Sequence, residues 1–167
     1  PKPIISNDEQ PTEDNAATQQ QEQYPSLSLD QPLSPYMLSC CIIAQNPALT
    51  KDQKTLNLQL IPRQQYPWLH LLIEHIQKFN IQTTGQLLQH SPKDLKPYWI
   101  QLANHPLSTP PEHTLIELEG AFLKIQQQCM QNEINLLISS AKIKPLSTQQ
   151  ENRLHQLLAT KTQESLD

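Results

Sequence analysis

The 167-residue chain has only two glycines, Gly85 and Gly120, and that scarcity excludes a good deal. Phosphate-cradling loops and βαβ dinucleotide folds need glycine where the backbone takes positive φ or comes close to a ligand. Aromatic residues make up 5% of the sequence. There are three cysteines, Cys40, Cys41 and Cys129. An adjacent pair plus a distant third gives neither a zinc-ligand spacing nor a disulfide framework. All three lie in apolar runs, where reduced, buried thiols belong. No window approaches the ~18 unbroken apolar residues of a membrane span, and no signal peptide opens the chain. The first residue is Pro1 and not methionine, as in a piece of a longer or processed protein.

What the chain does have is leucine and glutamine, the latter about one residue in seven. Both are good helix formers, so the fold class expected is all-α. The net charge of −4 is unevenly placed. Residues 1–34 carry Lys2 against Asp8, Glu9, Glu13, Asp14, Glu22 and Asp30, a local charge of −5; the remainder carries +1. Neither part is basic enough to hold nucleic acid by charge alone. Residues 1–33 combine proline, glutamine and acid with almost no apolar periodicity, and read as a disordered linker.

Ser34-Pro35 pairs a cap residue with proline at the first helical position, predicting a helix over 34–45 that is apolar nearly all round. Pro47 ends it. A weaker pattern from Ala48 to Leu60 predicts a helical turn and an irregular link. Pro67 opens the next helix, over 66–79. Thr83 or Thr84 caps a short one at 84–90, and Pro97 starts another over 97–104. The longest run is 110–141, where Thr109 and Glu112 have capping-box spacing. Leu115, Leu118, Phe122, Ile125 and Cys129 form its first stripe; Met130, Ile134, Leu137, Ile138 and Ala141 form a second. A bend is expected between about Gln126 and Asn132, where the stripes change over. Ser147 and Gln150 form another capping box before a last helix over 148–162, carrying Leu154, Leu157 and Leu158.

Residues suited to chemistry are few. His70 and Glu74 stand at i, i+4, but a metal-binding helix usually offers two histidines on one face and a third ligand nearby; a solvated polar face is the expectation. Cys40 and Cys41 have no base at a telling spacing. No catalytic, cofactor-binding or metal site is expected.

Several of these segments resemble a known family. Ile43-Ala44-Gln45-Asn46-Pro47, the string Thr83-Thr84-Gly85-Gln86-Leu87-Leu88-Gln89-His90, the long helix bearing Phe122, and Leu146-Ser147 together look like the C-terminal helicase-binding domain of bacterial replicative DNA primase (the DnaG family). The resemblance runs from about Ser34 to Lys161. It implies a bundle subdomain, 34–128, and a C-terminal helical hairpin, 129–167, joined by one long helix. It also implies that the hairpin docks on the N-terminal domains of the hexameric DnaB-type helicase, in the bacterial cytoplasm. The zinc and Mg²⁺ of primer synthesis would belong to other domains of the parent primase, with no cofactor in this chain. Candidate helicase-binding residues are Arg153, Leu154, Gln156, Leu157, Leu158 and Lys161, on helix-in-groove logic. The alternative is a general protein-interaction module or a helical nucleic-acid-binding one using Lys142, Lys144, Arg153 and Lys161, though four cations are few for phosphate binding at physiological salt.

Overall fold

Ser34 and the prolines set where the helices begin. In a computed structural model describing Leu27 and residues 31–51 and 56–164, α1 spans Pro35–Gln45. The Ser34 Oγ accepts from the Met37 N–H at 3.3 Å, and the helix closes where the Asn46 N–H reaches the Ile42 carbonyl at 2.8 Å. Helix α1 is the packing axis of the bundle. Cys40, Cys41, Ile42, Ile43 and Ala44 are fully buried, because α2 (Pro67–Lys78), α3 (Thr84–Gln89), α4 (Lys96–Asn104) and α5 (Thr114–Ile143) all pack against it. Ser39, also buried, returns its hydroxyl to the Pro35 carbonyl, so its own hydroxyl is not stranded.

Every expected helix is present, and no strand occurs among the described residues. The link between α1 and α2 holds two 3₁₀ turns, Pro47–Lys51 and Leu58–Leu60. Pro67 opens α2, whose Trp68 N–H is satisfied by the Tyr36 hydroxyl at 3.1 Å. Its C-terminus is a Schellman turn: Asn80 sits at φ 48°, the Ile81 N–H reaches the Ile76 carbonyl, and the Asn80 N–H reaches that of Gln77. Thr83 caps α3 by accepting from the Gln86 N–H. Of the expected linker, residues 1–26 and 28–30 lie outside the described residues; Leu27 and Leu33 are half-buried against the core.

Helix α5 starts later than expected. Thr109 and Glu112 form no capping box; a 3₁₀ turn at Pro111–His113 comes first, and His113 stands at the N-cap with no side-chain bond. The cause is the Pro110-Pro111 pair. A residue before proline is pushed out of the α region, and Pro110 takes ψ 146°. From Thr114 the helix runs unbroken to Ile143, so the bend expected between Gln126 and Asn132 finds no proline or π turn to cause it. Its first stripe enters the core through Leu118, Phe122, Ile125 and Cys129, joined by Ala121; Leu115, expected there too, is exposed. Beyond the bundle, α5 pairs with α6 (Thr148–Glu164) to make the hairpin.

Candidate functional site

The hairpin turn is fixed at both ends. The Lys144 N–H bonds the Ser140 carbonyl at 3.0 Å and closes α5. The expected capping box opens α6: the Gln150 N–H reaches the Ser147 Oγ at 3.3 Å, and the Ser147 N–H reaches the Gln150 Oε1 at 3.0 Å. Its seam is narrow. Ile134 and Leu157 are buried, with Leu137 and Leu154 partly so. Ile138 and Ala141, expected in the second stripe, are exposed, because α6 brings only Leu154 and Leu157 to the seam.

The six candidate residues divide by environment. Arg153 forks onto Glu133 of α5, with Nε–Oε1 and Nη2–Oε2 both at 2.8 Å. These bonds hold the Glu133 carboxyl below its ordinary range, against a smaller opposing effect of burial. The pair is about half exposed, so it orients α6 more than it stabilises it. Lys161 donates to the Gln131 Oε1. Leu157 and Leu154 belong to the seam, while Gln156 and Leu158 face outward, Leu158 at 42% exposure. Gln156 borders a shallow groove of about 630 Å³ shared with Glu133, Leu137 and Arg153.

Two features had no counterpart in the sequence-based expectations. Leu136 and Ile143 of α5 are 67% and 87% exposed, the most open large apolar side chains of the hairpin. A second groove, of about 570 Å³, lies in the angle between bundle and hairpin. Leu60 lines it from the bundle, Cys129 and Leu136 from α5, and Leu157 from α6. The signal for Leu136 was the three-and-four spacing of the α5 core stripe, which continues past Cys129.

The remaining candidate chemistry is structural. His70 is buried, not solvated, with Nε2 2.8 Å from the Ile61 carbonyl, and Glu74 is paired with Arg63. That carbonyl comes from an irregular link whose path no periodicity predicts. Burial pushes the Cys41 thiol up to about 12 and raises that of Cys40, so neither is a ready nucleophile at neutral pH. No group of three or more metal-ligating side chains gathers among the described residues, and no described helix is long and apolar enough to cross a membrane.

The motifs that carried the resemblance meet in space. The Thr84 hydroxyl of the Thr-Thr-Gly-Gln string donates to the Gln45 carbonyl at 2.9 Å, and the Gln45 amide donates to the Leu102 and His105 carbonyls at 3.2 and 2.7 Å. A family model described as DNA primase DnaG DnaB-binding matches residues 40–157, from within α1 to within α6. The chain belongs to the DnaB-binding family of DNA primase. No curated protein and no solved structure matches it. The DnaG DnaB-binding match spans both parts of the molecule, the bundle and the hairpin, and describes a helicase-binding domain, not a catalytic one.

Proposed function

We propose that this chain tethers a bacterial primase to its replicative helicase, with the hairpin as the docking element and the bundle as its support. The helicase-binding role rests on the family match across 40–157. The hairpin reading is carried by one observation: it buries little of its own apolar surface and leaves Leu136, Ile138, Ile143 and Leu158 in solvent. Large apolar side chains left open on a projecting element that has little core of its own suit an interaction surface. The partner would be the N-terminal domains of the DnaB-type hexamer in the bacterial cytoplasm. Docking would bring primer synthesis to the fork and tune both helicase and primase activity. Primer synthesis itself, with its zinc and Mg²⁺, falls to other domains of the parent primase, a nucleotidyltransferase. The nucleic-acid alternative is weaker, because Arg153 and Lys161 are engaged within the hairpin, leaving Lys142 and Lys144.

The test is co-elution with the helicase of the same organism. Deleting Leu146 to Asp167 is expected to abolish it while the bundle stays folded, since Trp99, Phe122 and the buried isoleucines of α1 and α2 remain. A truncated chain that binds as tightly as the full one would place the docking surface outside α6, on the bundle or on α5.

A further inference from the structure

The core stripe of α5 does not stop where the bundle stops. Leu118, Phe122, Ile125 and Cys129 recur at steps of four, three and four, and all are buried against the bundle. The same alternation carries on through Asn132 and Leu136 and, one heptad later, to Ile143, which puts all of them on one helical face. The exposures reverse along it. Cys129 is 9% exposed, Leu136 67% and Ile143 87%. Helix α6 packs mainly on the side of Ile134 and Leu137, about 90° or more around the helix at ~100° per residue, and only borders this face, where Arg153, Leu157 and Thr160 edge the groove beside Cys129 and Leu136. The uncovered length, from Asn132 to Ile143, is about 17 Å at 1.5 Å per residue, three turns of helix.

We infer that this inner face of the hairpin, from the groove below Leu60 to the tip at Ile143, receives an amphipathic helix of the helicase. That inference rests on the proposed function above and relocates the contact from α6, where the candidate residues lie, to α5. Three observations define the occupant. A stripe at alternating three and four spacing is the seam that two helices share, and its first half already packs helix on helix within the bundle. Towards the tip the flanks are small and uncharged, Ser139 and Ser140, so a helix can approach closely there; at the bundle end the flank is Glu133, whose charge is already met by Arg153. The tip is cationic: Lys142 and Lys144 bracket Ile143, all three exposed, and no carboxylate pairs with either lysine among the described residues. The incoming helix therefore carries apolar residues every third or fourth position, with carboxylates at the end that meets the tip. The capped turn fixes the backbone that carries the two lysines before the partner arrives, which lowers the ordering cost of binding.

The experiment measures affinity of the full 167-residue chain for the hexameric helicase of the same organism, together with helix content and the elution volume of the chain alone. Leu136→Glu and Ile143→Glu, both in solvent, should each weaken binding tenfold or more with helix content unchanged. Lys142→Glu combined with Lys144→Glu should weaken it and flatten its salt dependence. Ile116→Glu, equally open at 64% but on the opposite face of α5, should bind as the wild type does. Wild-type affinity in both Leu136→Glu and Ile143→Glu would overturn the inference and leave the docking function standing. So would a loss for Ile116→Glu as large as theirs. A stripe that holds two copies of the chain together, seen as a Leu136→Glu shift to smaller size with helicase affinity intact, would overturn it as well. If the wild-type chain itself fails to bind, both the inference and the docking function fall.

Discussion

Asn80 is the one non-glycine residue among those described that takes a positive φ, and it does so to end α2. The Schellman turn it completes aims Ile81, 2% exposed, back into the core. A side chain at left-handed φ costs roughly 1–2 kcal/mol for most residues and less for asparagine. Asn80→Ala should therefore destabilise the chain by about 1 kcal/mol, while Asn80→Gly should match or exceed the wild type; urea denaturation of the three proteins checks this. A few residues earlier, the His75 ring lies 4.6 Å from that of Phe79 and 4.7 Å from that of Trp99, and its Nε2 has no partner. Burial is the main cause that lowers its pKa below 6.5, and the charges of His90 and Lys78 add to it, against a raising hydrogen bond at the His90 backbone. The unfolded chain thus takes up this proton first as pH falls. The stability His75 contributes is full above the unfolded value and is lost as pH drops through it towards the lower folded value. Tm should fall between about pH 7.5 and pH 5.5, and fall less in His75→Gln. An equal drop in the variant would assign the effect to other groups.

At the scale of helices, starts were legible because they are written in local chemistry. Ser34-Pro35, Thr83 and the Ser147–Gln150 box each specify a helix entry within four residues, and each forms the bond its spacing implies. The Thr109 start failed because a second proline overrode the first, an effect that also acts within four residues but opposes the cap. What no window shows is which apolar face gets covered. Ile134 and Ile138 have the same chemistry and sit four residues apart, yet one is 2% exposed and the other 41%, since α6 reaches only one of them. The candidate site suffered most from this. Four of its residues, Arg153, Leu154, Leu157 and Lys161, are engaged inside the hairpin, whereas Leu136 and Ile143 belong to neither expected stripe, and Ile143 lies beyond the helix end expected at 141. The same element carries a quantitative expectation. Ser147→Ala removes the α6 cap and should cost about 1 kcal/mol of hairpin stability, visible as faster amide exchange in α6 before any change in the bundle. Arg153→Ala removes a half-exposed ion pair and should cost less than about 1 kcal/mol on the same measurement. An Arg153→Ala effect several times larger would mean that the fork to Glu133, and not the leucine seam, holds α6 in place.

For the molecule as a whole, the order in which the chain leaves the ribosome matters. Helix α1 is synthesised before the other described helices and is apolar nearly all round, yet the α5 face that covers it arrives roughly eighty residues later. At about 5–20 residues per second, that interval is roughly 4–16 s. Helices α2 to α4 can shield α1 in part as they emerge, but the Gln45 amide waits for the Leu102 and His105 carbonyls, 57 and 60 residues downstream, before the end of α1 is tied down. A nascent chain stalled between α4 and α5 would present a greasy rod of Cys40 to Ala44 with one side uncovered, which is the kind of segment that holdase chaperones grip. Ribosome-bound chains arrested at Ser108 should be captured by such chaperones, and those arrested well past Ile143 should escape them.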